Sequence, residues 1–334
     1  MKALLPYSKY LVLLLTLSTM SCETTADIIN PETQTSSNKE TPNNESTSKD
    51  VEKENDNNNQ NGSEQNVSLA AKLTAAVPSG YNVKKDQSYG PSATQAYDLY
   101  TPIVSDSTKK SVSLVMVHGG GWSLLDKSFL DNVVELFKRE NLNITIFNIN
   151  HRLPLSDGVT FDGVMEDFNL FFEHQQTLKQ QLNLSEDVVL WGYSSGGHLA
   201  LTYSYKFPKP YIKSVAAVAA PTDLTQESIY KGIVDDKERN LTEKFIGVAY
   251  DSNPNAYKAA SPIFDINAQS AKTILFYGQR DGLVDVDEQG RRLYNKLIAN
   301  NVKASFKALP NATHDMKGEM PGIVIETIRF LKEQ

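Results

Sequence analysis

One cysteine in 334 residues, Cys22, rules out an internal disulfide and any cysteine-built zinc or iron–sulfur site. Histidine is almost as scarce: five residues, with no Cys/His pair at metal-ligand spacing, so the sequence implies neither a metal nor an organic cofactor. No apolar run is long enough to cross a bilayer; the one near the start, Leu11–Leu15, is only a short core. Basic residues are not in excess. The chain carries 33 Lys and Arg against 40 Asp and Glu, and no basic stripe points to nucleic acid.

What is present divides the chain into three. Residues 1–22 carry Lys2 and Lys9, then the leucine-rich core, then small polar residues up to Cys22, the layout of an export signal. Residues 23–68 hold no aromatic residue and are dominated by Asn, Ser, Thr, Glu and Lys. Such a composition cannot bury enough apolar surface to offset its ordering entropy, which predicts a disordered tether. This stretch also holds the charge, with 10 acidic and 3 basic residues, a net of −7 that equals the charge of the whole chain. Residues 69–334 are therefore nearly neutral and read as one catalytic domain. The position of Cys22 at the end of the leader resembles a bacterial lipoprotein precursor. That resemblance implies lipidation of Cys22, export, and a membrane partner held through the lipid anchor.

Within residues 69–334, strands alternate with helices, which predicts an α/β fold with a mostly parallel sheet covered by helices on both faces. Strands are expected at Ala96–Pro102, an edge strand ending at its proline, and at Ser111–Val117, Asn143–Ile149, Val188–Trp191, Ser214–Ala220, Thr273–Tyr277 and Ala304–Leu309. Helices are expected at Asp131–Glu140, Phe161–Leu182, from Gly196 onward, at Glu288–Ala299 and over residues 320–332. Residues 225–270 lack strand periodicity and read as an excursion of short helices over a site.

The chemistry centres on Gly192-Tyr193-Ser194-Ser195-Gly196, a G-x-S-x-G between a buried strand and a helix. The flanking glycines allow a tight turn that presents Ser194 as a nucleophile. A serine hydroxyl needs a general base, and the base an orienting carboxylate. Of the five histidines only His314 follows Ser194 and a further strand, in a loop rich in turn residues. Among Asp281, Asp285, Asp287 and Glu288, Asp281 follows its strand directly, whereas Asp285 is better placed to cap the next helix. His118-Gly119-Gly120-Gly121-Trp122 closes an earlier strand. Three glycines in a row suit close approach of backbone N–H groups to an oxygen, so Gly120, Gly121 and Ser195 form the candidate oxyanion hole. Trp122, Leu125 and Tyr193 are candidates for the substrate pocket.

These motifs, in this order and spacing, resemble an α/β-hydrolase of the esterase and lipase type across residues 69–334. Asn150-His151-Arg152-Leu153 is similar to the Asp-Tyr-Arg-Leu segment of the hormone-sensitive-lipase-like and feruloyl-esterase-like branches, with Asp167 where those branches carry an aspartate. Leu125 stands where relatives often have glycine. The resemblance implies a serine carboxylesterase acting on a small-molecule or polysaccharide-linked ester, acetyl or feruloyl. A serine aminopeptidase or formamidase on the same fold is the alternative, separable by a dipeptide naphthylamide assay. A binding protein on an inactive hydrolase scaffold is the alternative of another class, and a fluorophosphonate probe that failed to label Ser194 would favour it.

Overall fold

The computed structural model describes residues 67–333; Cys22, the 1–22 leader and all but the last two residues of the 23–68 stretch lie outside the described residues. Eight strands form one sheet: β1 (Tyr81–Ser88), β2 (Ala96–Pro102), β3 (Ser111–Val117), β4 (Ile144–Ile149), β5 (Leu184–Tyr193), β6 (Ile212–Val218), β7 (Lys272–Gly278) and β8 (Ala304–Leu309). Their spatial order is β1-β2-β4-β3-β5-β6-β7-β8. β1, β2 and β4 pair antiparallel, and every pairing from β4 through β8 is parallel.

Ten helices connect them: α1 (Leu69–Thr74), α2 (Asp131–Arg139), α3 (Pro154–Asp157), α4 (Phe161–Thr177), α5 (Ser195–Lys206), α6 (Glu227–Tyr230), α7 (Leu241–Ile246), α8 (Pro254–Ala259), α9 (Arg292–Ala299) and α10 (Met320–Lys332). The core lies on both faces of the sheet. Phe168, Phe171 and Phe172 of α4, Leu199 and Tyr203 of α5, and Leu293 and Leu297 of α9 fill one side. Leu73 of α1, Val134 and Phe137 of α2, and Ile323 and Val324 of α10 fill the other. Double coverage is why β3 reads as a nearly uninterrupted apolar run, with all seven residues buried. The architecture is the mostly parallel, doubly covered α/β sheet that the alternation of elements predicts, and it is the α/β-hydrolase fold that the resemblance implies.

Several boundaries differ from expectation. β2 is not an edge strand: it lies between β4 and the longer β1, whose mostly exposed residues give no apolar alternation to announce a strand. β5 begins at Leu184, four residues ahead of the β-branched run. α4 stops at Thr177, whose hydroxyl donates to the His174 carbonyl at 2.7 Å and competes with the helical ladder, and the chain then turns back into β5. The segment ahead of α9 opens as a π-helical turn, Val286–Arg291. That turn drives Gln289 inward, where its side-chain oxygen accepts from the backbone N–H groups of Thr222 (2.7 Å) and Asp223 (2.8 Å). Residues 225–270 hold only short helices, as their lack of strand periodicity suggests.

The direction in which strands are added across the sheet reverses between β3 and β5, which are neighbours in the sheet although β4 intervenes in sequence. Loops leaving the carboxyl ends of such strands diverge and leave a crevice there. Both the Gly119–Gly121 turn and Ser194 sit at that switch point.

Candidate active site

Ser194 joins β5 to α5 in a left-handed conformation, φ 53° and ψ −122°. A non-glycine residue is strained there, and the surroundings leave it no alternative. Its N–H donates to the Val218 carbonyl at 2.7 Å, and its carbonyl accepts from the His198 N–H at 3.0 Å. The turn closes because Gly192 and Gly196 carry no side chain. A Cβ on Gly192 would lie 2.3 Å from the Gly196 carbonyl oxygen, and one on Gly196 would lie 2.2 Å from that of Val117. The crowding pushes Ser194 Oγ outward.

The hydroxyl meets a base. Ser194 Oγ lies 2.9 Å from His314 Nε2, and His314 Nδ1 lies 2.8 Å from Asp281 Oδ2. A carboxylate can only accept at Nδ1–H, so Nε2 is left free to accept from the serine. Asp281 is held in turn: its Oδ1 accepts from the N–H groups of Leu283 (2.8 Å) and Val284 (2.9 Å), and its side chain is 0 % exposed. Asp285 instead caps the following turn, accepting from the N–H groups of Asp287 and Glu288 at 2.8 Å each. The structure thus brings Ser194, His314 and Asp281 together and leaves Asp285 in a structural place.

The glycine turn lies against Ser194. A Cβ on Gly119 would be 3.2 Å from the Ser194 Cβ, and the turn's own hydrogen bonds end on the Gly120 carbonyl, which accepts from Ser123 (3.2 Å) and Leu124 (3.0 Å). Gly120 (φ 111°) and Gly121 (φ 57°) both take backbone conformations that favour glycine, and a Cβ on Gly120 would fall 2.0 Å from the Leu124 oxygen. Gly121 faces Leu241 and Ile233, so the excursion after β6 packs onto this turn. Ser195, the first residue of α5, flanks Ser194 on the other side, at a helix end where backbone N–H groups and the helix dipole favour negative charge.

The three pocket candidates are placed differently from one another. Trp122 is only 1 % exposed. Its ring stacks on Phe245 (centroids 4.9 Å apart), and its indole N–H donates to His198 Nδ1 at 3.0 Å, so it braces the turn from behind. Tyr193 is buried, with its hydroxyl bonded to the His314 main-chain carbonyl. Leu125 is partly exposed, at φ 68°, with its Cγ 3.1 Å from where a Gly120 Cβ would stand. Of the three it alone offers side-chain surface beside the glycine turn.

The other histidines serve structure. His198 accepts from Trp122 at Nδ1 and therefore carries its proton on Nε2, which donates to the Ala260 carbonyl at 2.7 Å. Burial lowers its pKa to about 4. His118 and His151 stack with centroids 4.9 Å apart and planes 2° from parallel, each Nδ1–H donating to a carbonyl, of Gly119 and Arg152 respectively. Burial, then the neighbouring His151, lowers His118 to about 3, and burial also lowers His151. Arg152 and Asp167 form an ion pair, with contacts of 2.7 Å from both the Arg152 side chain and its backbone N–H. Among the described residues no group of three or more His, Cys, Asp or Glu side chains is arranged to hold a metal ion.

A serine, an imidazole and a buried carboxylate in line, beside a glycine turn and a helix N-terminus, form an arrangement suited to acyl transfer. The profile of the BD-FAE family matches residues 97–297, from β2 into α9. The chain belongs to the BD-FAE family. This is an esterase family of the α/β-hydrolase type, and the chain is accordingly a hydrolase of carboxylic esters. The BD-FAE match encloses Ser194, Asp281 and the glycine turn, while His314 lies beyond its end.

Solved structures share the fold of this BD-FAE member. A truncated carbohydrate esterase from gut microbiota aligns with a TM-score of 0.64 at 16% identity, covering 76% of this chain and 98% of its own. Esterase B of Lactobacillus rhamnosis, captured with a tributyrin phosphonate inhibitor, aligns at 0.61 and 17% identity, covering 79% and 89%. An acetyl ester-xyloside bifunctional hydrolase of Caldicellulosiruptor lactoaceticus aligns at 0.57 and 14% identity, covering 71% and 88%. No curated protein matches the chain by sequence.

Proposed function

We propose that the protein is a serine carboxylesterase that removes acyl groups, acetyl or feruloyl, from polysaccharides. The observation that carries the catalytic reading is the continuous path from Ser194 Oγ through His314 to the covered carboxylate of Asp281. His314 Nε2 takes the serine proton as Oγ bonds to the ester carbonyl carbon. Asp281 holds the imidazole in the tautomer that can do so and stabilises the imidazolium that forms. The carbonyl oxygen, now negative, is met by the N–H groups of Gly120, Gly121 and Ser195, each worth on the order of 3 kcal/mol to the transition state. Collapse of the tetrahedral intermediate breaks the ester C–O bond, and the imidazolium protonates the departing alcohol. Water, deprotonated by the same imidazole, then attacks the acyl-enzyme and returns the free acid and Ser194.

The polysaccharide substrate is supported by the BD-FAE assignment and by the carbohydrate esterase and acetyl ester-xyloside hydrolase that share the fold. Export and attachment to a bacterial membrane through a lipid on Cys22 are supported by the leader and the polar stretch that follows it. A displayed enzyme of this kind would meet insoluble polymer outside the cell.

The test compares wild type and Ser194→Ala on p-nitrophenyl acetate, acetylated xylan and feruloylated sugars. Loss of all hydrolysis in the variant is expected; retention of most of it would refute the nucleophile. Activity on the p-nitrophenyl ester without release from either polymer substrate would refute the polysaccharide reading alone.

A further inference from the structure

Tyr193 lies beside the nucleophile in sequence, yet it reaches the base. Alternation along β5 puts its side chain on the face that carries Trp191, opposite the face that carries Leu190. There it joins the cluster that holds Ala312 and Met316, the residues two before and two after His314. Its hydroxyl donates to the main-chain carbonyl of His314, its ring packs 5.4 Å from that of Phe129, and its Cδ1 would touch a Cβ on Gly119 at 2.9 Å. One side chain thus touches the base's loop and the glycine turn while its own backbone leads into Ser194.

The loop is anchored on either side of His314 by the buried side chains of Ala312 and Met316. Its entry is fixed by the Arg280 N–H donating to the Ala312 carbonyl at 3.0 Å, and its exit is a local turn from Met316 N–H to the Thr313 carbonyl at 3.1 Å. Between them, Ser194 and Asp281 hold the His314 imidazole, and the bond from Tyr193 holds the His314 main chain. Burial first, then the charges of Asp281 and Asp315, hold the Tyr193 phenol far above its ordinary pKa, so it remains a donor at any working pH.

We infer that Tyr193 is a positioning residue: its hydroxyl sets the height of the His314 backbone, and thereby holds the imidazole in line between Asp281 and Ser194. The role is distinct from substrate binding. It rests on the serine esterase reading, because only a base whose reach to Ser194 matters needs such a tie. A shift of the imidazole by a fraction of an ångström lengthens both hydrogen bonds of the relay, and catalysis is steeply sensitive to such misplacement.

The test is Tyr193→Phe, which keeps the ring and removes the hydroxyl, assayed on p-nitrophenyl acetate beside wild type and Ser194→Ala. A fall in kcat of about tenfold to a hundredfold, KM within about twofold and a nearly unchanged melting temperature are expected. The rate of fluorophosphonate labelling of Ser194 should fall in step with kcat. Tyr193→Met, apolar and lacking a donor, should reproduce the kcat loss if Tyr193→Phe does not fold. An unchanged kcat overturns the role, as does a joint fall in kcat, KM and melting temperature, or failure of both variants to fold, since each marks the bond as dispensable or merely structural. Activity in Ser194→Ala would sink the esterase reading itself; an inactive Ser194→Ala beside an unimpaired Tyr193→Phe would remove only the positioning role.

Discussion

Trp122 donates its indole N–H to His198 Nδ1 at 3.0 Å, and this bond joins the glycine turn after β3 to the first helical turn behind Ser194. His198 passes the link on, donating from Nε2 to the Ala260 carbonyl at the foot of the excursion. Three segments that converge only in the folded chain are therefore locked through one neutral imidazole.

Trp122→Phe should keep the stack on Phe245 but leave His198 Nδ1 buried without its donor. The expected cost is about 1–3 kcal/mol, at about 2–4 °C of melting temperature per kcal/mol for a domain of this size. The loosened turn should also lower kcat. Thermal unfolding and ester kinetics on the purified variant check both; an unchanged melting temperature would remove the bracing role.

Asp281 and Asp285 should separate cleanly. Asp281→Asn offers His314 an amide in place of a carboxylate and should lower kcat by roughly 10⁴ through the wrong tautomer. Asp285→Ala removes a helix cap and should cost about 1 kcal/mol of stability with kcat intact. Parallel kinetics and melting curves decide it, and the reverse pattern would exchange the two assignments.

Stability should decline with acid well before most carboxylates titrate. His118 and His198 have folded pKa values of about 3 and about 4 against 6.5 for the free side chain, and His151 is lowered too. A depressed histidine contributes its full stability above pH 6.5, where both folded and unfolded chains are neutral. Below 6.5 the unfolded chain takes up protons that the folded chain refuses, so stability falls until the folded pKa is reached. Denaturant unfolding at pH 7.5, 6.0 and 5.0 should show a progressive loss, reduced in His118→Gln. A flat profile over that window would mean these rings admit protons in the folded state.

The residues that meet at the site are legible in the sequence because each part advertises itself locally. G-x-S-x-G follows a β-branched run, the three glycines end a strand, and Asp281 and His314 occupy turns after late strands. Asp285 as a cap was likewise readable from its offset to the next helix. What escaped is non-local. The Tyr193 hydroxyl and the His314 carbonyl are 121 residues apart, and nothing near either hints at the other. The fully buried position of Trp122 depends on Phe245, which belongs to the excursion. Ala96–Pro102 reads as an edge strand in the sequence because edge status is a property of neighbours, and β1, mostly exposed, lacks the sustained apolar alternation by which strands are recognised.

That polar outer strand has a bearing on how the molecule meets others. The register of β1 slips between Lys84 and Gln87, where Asp86 takes φ 52° and turns its N–H inward to Asp98 at 2.9 Å, while Lys85 reaches the same carboxylate at 2.9 Å. An incoming strand would find the ladder interrupted and the Asp86 N–H already spent, a disposition that disfavours strand addition at β1.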